Sequence, residues 1–108
     1  MIFKNAEIGF EDLGSGVKRK ILAHGGTMMS VKVFFEKGSI GELHTHEHEQ
    51  VCYVLKGKFE IQIGDKKDII CEGDTYYAEP NIPHGVKALE EGILLDTFTP
   101  QREDFLKK

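Results

Sequence analysis

The most constraining feature of the chain is a run of histidines at every second position, framed by Gly38 and Gly57. The run consists of His44, His46 and His48, and Gln50 follows in the same phase. In an extended strand, side chains two residues apart point to the same face, so alternate imidazoles can aim at one point. Neutral imidazole is the commonest metal ligand in proteins, and the pattern therefore predicts a metal site built on a strand.

A straight strand cannot bring this whole set together. From His44 to Gln50 it would span roughly 20 Å, which is too far for one ion to be shared. We therefore expect the chain to turn near residues 47–49 and return Gln50 to the site. A fourth ligand should come from a distant segment, and His84, in a loop fixed by two prolines, is the candidate.

The rest of the chain indicates short strands separated by turns, because helical periodicity is nearly absent and apolar residues alternate with polar ones. The predicted strands cover residues 17–23, 28–36, 43–46, 50–55, 58–63, 67–71, 75–78, 86–89 and 93–99. Residues 1–16 carry little signal, and residues 101–108 could form one short helical turn. About nine short strands favour an all-β sandwich or barrel, and periodicity alone does not distinguish these.

Length and composition limit the function classes. The 108 residues correspond to one domain with one core, and the net charge of −4 comes with no basic stripe, so nucleic acid is not an expected partner. No apolar stretch approaches the ~20 residues needed to span a bilayer, and no signal peptide is visible, so we expect a cytoplasmic protein that does not interact with membranes. Cys52 and Cys71 form no C-x-x-C pair and are interpreted as buried apolar side chains.

A second polar cluster lies near the C-terminus. Asp96 interrupts an otherwise apolar strand, and charges in core strands are rarely fully buried unless they are paired. Asp96 and Phe98 share a face and could both line a barrel interior, while Arg102 could fold over its mouth and bind a carboxylate through two parallel hydrogen bonds. The alternative interpretation is a structural ion pair between Asp96 and Arg102.

Other polar residues carry weaker predictions. His48 is expected to be exposed or to support the site from outside the ligand set. Tyr53, Tyr76 and Tyr77 could offer hydroxyl groups to a sugar, but such residues are more often core aromatics, and none of them is assigned to the site. Glu79 is interpreted as an exposed loop residue.

The two motifs around these residues resemble those of the cupins. The first covers residues 38–57, with Gln50 where cupins usually have Glu. The second, GDTYYAEPNIPH, covers residues 73–84 and departs from the usual Pro-x-Gly by carrying Asn81, which tolerates a left-handed backbone. The Asn that usually trails this motif is replaced by Ala88.

Three longer runs narrow the resemblance to the KdgF-type pectin-degradation cupins. They are VKRKIL from Val17, MMSVKVFFEKGSIGELHTHEHEQ from Met28, and NIPHGVKALEEGILLDTFTPQREDF from Asn81. The resemblance covers residues 17–105 and implies an all-β, single-domain cupin jelly-roll barrel over residues 1–108. By analogy with cupins it also implies a homodimer.

The same resemblance implies a function and a set of site residues. The expected reaction converts 4,5-unsaturated monouronates from pectin or alginate breakdown to linear 5-keto-4-deoxyuronates, small anionic sugars. The functional Asp, Phe and Arg of the family match Asp96, Phe98 and Arg102 by spacing. Asp96 would relay a proton, Arg102 would bind the carboxylate, and Phe98 would pack on the sugar ring. The metal ligands would be His44, His46, Gln50 and His84.

The ligand set bears on the metal and on two competing functions. Because all four ligands are neutral, a bound ion keeps its full formal charge of +2, should attract an anionic substrate, and fits less well with a ferrous oxygenase. Zn²⁺, Ni²⁺, Mn²⁺ and Fe²⁺ are all candidates for the metal ion.

Two alternative functions are another cupin enzyme, such as a metal-dependent dioxygenase or cyclase, and a sugar-binding sensor without turnover. A metal-free structural cupin would have no use for these four side chains.

Overall fold

Ten antiparallel strands in two sheets make up most of this computed structural model, which describes residues 1–106. The strands are β1 (Glu11–Gly14), β2 (Val17–Gly25), β3 (Met28–Phe35), β4 (Ile40–His44), β5 (Glu49–Lys56), β6 (Lys58–Ile63), β7 (Lys66–Cys71), β8 (Thr75–Ala78), β9 (His84–Ala88) and β10 (Gly92–Thr99). A short 3-10 helix (Asn5–Glu7) precedes them, and helix α1 (Glu103–Leu106) follows. The prediction of an all-β chain is confirmed.

The two sheets pack their apolar faces against each other. One has six strands in the order β1-β2-β3-β10-β5-β8, and the other has four in the order β4-β9-β6-β7. Phe35 of the larger sheet meets Phe59 of the smaller one edge to face, with ring centroids 5.3 Å apart. Their burial removes large apolar surfaces from water and stabilises the packing of the sheets.

Strand β10 shows how the alternation of side chains positions the site. Leu94, Asp96 and Phe98 are all buried, while the residues between them are only partly so. Asp96 therefore takes an interior position between two core residues, as the period of two along this strand predicted.

The structure corrects several predicted element boundaries. Strand β1 was missed because all four of its residues are exposed and show no alternation. Strand β4 ends at His44, so His46 lies beyond the strand rather than within it. Cys52 is buried as expected, but Cys71 is exposed, because Ile70 takes the inward phase of β7.

The C-terminal helical turn is found at Glu103–Leu106, and the last two residues of the predicted range lie outside the described part. No helix among residues 1–106 is both long and apolar enough to cross a membrane.

Candidate metal and substrate site

Three histidines from two distant segments meet at one end of the barrel. His44, the last residue of β4, is the cross-strand partner of His84, the first residue of β9. His46 follows two residues after β4, where the chain bends before β5 begins at residue 49, as predicted. One ring nitrogen from each of the three histidines lies within 4.8 Å of the other two.

The loop before His84 is tied directly to the histidine segment. The backbone N–H of Asn81 donates to the carbonyl of His46 across 2.8 Å. Asn81 has a φ of 64°, the left-handed conformation expected at the position where cupins usually carry glycine. One hydrogen bond therefore holds the two sequence motifs in register.

Each of the three histidines is held by a backbone carbonyl at Nδ1. A carbonyl only accepts hydrogen bonds, so Nδ1 carries the proton and Nε2 presents its lone pair. The three Nδ1 atoms donate to the carbonyls of Glu42 (2.7 Å), His48 (2.8 Å) and Ile82 (2.9 Å) from His44, His46 and His84 respectively. His48 thus supports the cluster through its backbone, while its imidazole is outside the cluster.

Gln50 brings a fourth acceptor to the same point. Its Oε1 lies 3.1 Å from Nε2 of His46 and 3.2 Å from Nε2 of His84. Its Nε2 faces away and donates to Oδ1 of Asp96 (2.9 Å) and to the hydroxyl of Tyr76 (3.2 Å). A carbonyl oxygen and imidazole lone pairs in contact repel one another unless a cation lies among them. The donor set therefore fits a divalent metal ion held by neutral ligands.

Burial keeps the imidazoles in the form that a metal requires. Burial lowers the pKa of His46 to about 4, and the charge of Arg102 adds to this effect. Burial lowers the pKa of His84 as well. Both rings are therefore neutral near pH 7, and their lone pairs are available for coordination.

Asp96 is the buried carboxyl group of the site. Burial raises the pKa of Asp96 to about 6, against the opposing effect of hydrogen bonds from Cys52 and Gln50. Burial also raises the pKa of the Cys52 thiol, which therefore stays protonated and can donate to Asp96. A carboxyl group that titrates near neutral pH is suited to proton transfer.

Arg102 does not pair with Asp96. Its Nε and Nη2 donate to the two carboxylate oxygens of Asp104, at 3.0 and 2.8 Å. Within residues 1–106 no Asp96–Arg102 ion pair forms, so the alternative interpretation of these two residues is wrong. The guanidinium of Arg102 stacks instead over the ring of Phe98, with Cζ 5.2 Å from its centroid.

A cavity of about 170 Å³ connects these groups. Its lining includes three of the four candidate ligands, His44, Gln50 and His84, together with Asp96, Phe98 and Arg102. Among the further lining residues, Tyr76 and Phe105 contact groups of the site and Arg19 stacks on Phe105, but none of the three was assigned to the site from the sequence. The inward position of Arg19 could have been predicted, because it shares a strand face with the apolar residues Val17 and Ile21. No sequence pattern assigned Tyr76 to the site, because its neighbours depend on which strand pairs with β8.

Comparisons with known proteins show which proteins this chain resembles. A family model described as Cupin domain (Cupin_2) matches residues 31–98. The pectin degradation protein KdgF of Dickeya dadantii (strain 3937) is 48% identical over 106 residues, which are 96% of either chain. The solved structure of KdgF from Halomonas sp. has a TM-score of 0.93 at 37% identity and covers 97% of both chains.

Two further relatives widen the comparison. An RmlC-like cupin from Shewanella frigidimarina NCIMB 400 has a TM-score of 0.93 at 38% identity and covers 96% of this chain and 94% of that one. The oxalate decarboxylase OxdC of Bacillus subtilis (strain 168) is 36% identical over 70 residues, which are 60% of this chain and 18% of that protein.

Proposed function

The chain belongs to the KdgF family of cupins, and on that premise we propose that it converts 4,5-unsaturated monouronates to linear 5-keto-4-deoxyuronates. The predicted cupin jelly roll is confirmed by the same matches. One observation carries the proposal: the buried carboxyl group of Asp96 accepts a hydrogen bond from Gln50, whose amide oxygen contacts His46 and His84, and it lines the same cavity. We also propose that this substrate comes from the breakdown of pectin or alginate.

We propose that His44, His46, Gln50 and His84 hold one divalent transition metal ion, with Zn²⁺, Ni²⁺, Mn²⁺ and Fe²⁺ as candidates. When bound, such an ion supplies Lewis-acid polarisation of substrate oxygens. The protein's part is to hold the four ligand atoms in place through carbonyls and through Asp96, which orients the Gln50 amide.

The reaction is an isomerisation in which protons move and no atom is gained or lost. Opening of the ring breaks the bond between C1 and the ring oxygen. The C1 hydroxyl loses its proton as C1 becomes an aldehyde, and the ring oxygen gains a proton and becomes the hydroxyl of an enol at C5. The enol becomes a ketone when C4 gains a proton and the C5 hydroxyl loses one. Asp96 carries the proton to C4, because its pKa, raised to about 6 by burial, lets it give and recover a proton near neutral pH.

Two neighbours of Asp96 position the sugar. Phe98 lies two residues further along the same face of β10 and provides an apolar surface for the sugar ring. Arg102 lines the cavity, and the N–H groups that it does not direct at Asp104 are available to the substrate carboxylate.

The direct test is an ultraviolet assay on unsaturated galacturonate after metal analysis of the purified protein. We expect the absorbance of the conjugated alkene to disappear, also under anaerobic conditions, and expect the rate to fall after treatment with a chelator and recover when metal is restored. A requirement for oxygen would favour the dioxygenase alternative. Saturable uronate binding with no loss of absorbance would favour the sensor and contradict the proposal.

We also propose that the protein is a homodimer. Strand β8 is an open edge of the six-stranded sheet, and open edges invite pairing. Tyr77 of β8 and its cross-strand partner Val51 of β5 are both about half exposed. Light scattering should give twice the chain mass of 12.2 kDa, and a Tyr77→Lys variant should shift the mass toward the monomer.

A further inference from the structure

We propose that Arg19 is a second guanidinium of the cavity that binds the substrate carboxylate and selects acidic over neutral sugars. This inference rests on the proposed function, because it names the residue that recognises the uronate at the same site.

The position of Arg19 in the fold is unusual for a charged residue. It lies in β2 opposite Val33, between Val17 and Ile21, which both pack against the apolar core. Its side chain is 16% exposed and lines the cavity that holds the histidine cluster. A charge at such an inward position is costly unless it has a partner or a ligand.

The protein satisfies only part of the hydrogen-bonding capacity of Arg19. Its one ion-pair contact within residues 1–106 runs from Nη2 to Oε2 of Glu11 across 3.3 Å, and Glu11 is 47% exposed. The Nε–H is buried and has no acceptor in the same part of the chain. A guanidinium carries five N–H donors, so most of those on Arg19 are left for another acceptor.

Phe105 of helix α1 brings the two arginines of the cavity together. Cζ of Arg19 lies 3.9 Å from the centroid of the Phe105 ring, and Cζ of Arg102 lies 4.2 Å from it. Stacking on a ring fixes the plane of a guanidinium and reduces the entropy lost when it binds a planar carboxylate. Two cations on one aromatic ring also repel each other, and a bound anion relieves this repulsion.

The two arginines differ in what the protein already provides. Arg102 directs both Nε and Nη2 at Asp104, whereas Arg19 directs Nη2 alone at a carboxylate, that of Glu11. Among the described residues that line the cavity, Asp96 is the one acidic group, and it is hydrogen-bonded to Gln50. An incoming carboxylate therefore finds unsatisfied donors at Arg19, and a sugar without a carboxylate does not use them.

Binding of saturated sugars by the metal-loaded protein tests this inference without turnover. Calorimetry would compare D-galacturonate with D-galactose on wild type, Arg19→Gln, Arg19→Lys and Glu11→Gln. We expect Arg19→Gln to weaken galacturonate binding by about tenfold or more and to leave galactose binding unchanged. Arg19→Lys keeps the positive charge but loses the paired N–H groups with which a guanidinium binds a carboxylate. We therefore expect a smaller loss of galacturonate affinity, about threefold to tenfold. Glu11→Gln breaks the ion pair and should stay within about twofold of wild type.

The outcomes separate this inference from the proposed function. Wild-type galacturonate affinity in Arg19→Gln, or an equal loss in Glu11→Gln, would overturn the role of Arg19 in recognition. If Arg19→Gln fails to fold, a folded Arg19→Lys variant that binds galacturonate as wild type does would also overturn it. If binding depends on Arg19 but unsaturated galacturonate is not converted, the proposed reaction fails and the inference stands. Equal affinity of wild type for the two sugars contradicts the inference.

Discussion

Gln50 donates its Nε2–H to Oδ1 of Asp96 across 2.9 Å, and this bond joins the histidine cluster to the buried carboxyl group of the cavity. It turns the amide oxygen of Gln50 toward His46 and His84. The four candidate ligands are neutral, but a carboxyl group lies directly behind one of them. Ionised Asp96 would therefore offset part of the charge of a bound cation without coordinating it.

Replacing Asp96 with Asn should separate catalysis from metal binding. Asn keeps an acceptor for the Gln50 amide but cannot exchange a proton, so we expect the rate on unsaturated galacturonate to fall by about 100-fold or more. Metal content should stay at the wild-type level. The matched control is Asp65→Asn, in an exposed hairpin turn, which should have no effect. Unchanged activity of Asp96→Asn would remove this residue from the mechanism.

The stability of the metal-free protein should depend on pH because of the buried carboxyl group of Asp96. Burial raises its pKa from 3.8 to about 6, so between these values the folded state binds more protons than the unfolded state. The contribution of Asp96 to stability is therefore complete below pH 4 and is lost as the pH rises through 6, by about 3 kcal/mol. Asp96→Asn lacks this dependence. Urea unfolding at pH 5 and pH 7.5 should show the variant gaining stability relative to wild type at the higher pH; a constant difference would contradict the assignment.

His46 and His48 form a matched pair for testing the metal site. His46 contributes its imidazole to the cluster, whereas His48 contributes its backbone carbonyl, which survives substitution. We expect His46→Ala to weaken zinc affinity by at least about 100-fold and His48→Ala to change it only a few-fold. Competition with a chelating dye measures both. Similar losses in the two variants would argue against ligation by His46.

Tyr76 should support the reaction by holding Gln50. Its hydroxyl accepts a hydrogen bond from the Gln50 amide, and Tyr76→Phe leaves that amide with Asp96 alone. We expect stability to fall by about 1 kcal/mol and kcat to fall several-fold, with metal retained. Tyr77→Phe, on the exposed face of the same strand, serves as the control. If both variants had wild-type kcat, Tyr76 would be an ordinary core aromatic.

Much of this site could be predicted because it depends on the face of a strand. A period of two decides which side chains point inward, and this rule alone assigns Asp96 and Phe98 to the interior face of β10. The same logic failed where the chain leaves regular structure. His46 joins the cluster from beyond the end of β4, held there by Asn81 and by the carbonyl of His48.

Residue types and their spacing determined the class of fold, the cluster of three histidines with Gln50, and the inward carboxyl group. The fold class and the inward carboxyl group follow from alternation and from turn residues, and the candidate ligands follow from the types and spacing of the residues. Only the tertiary structure decided which inward residues are neighbours. Tyr76, Cys52 and Asp96 lie side by side because β8, β5 and β10 pair in one register. Alternation assigns a face, whereas the neighbour across a strand depends on the packing of the whole sheet.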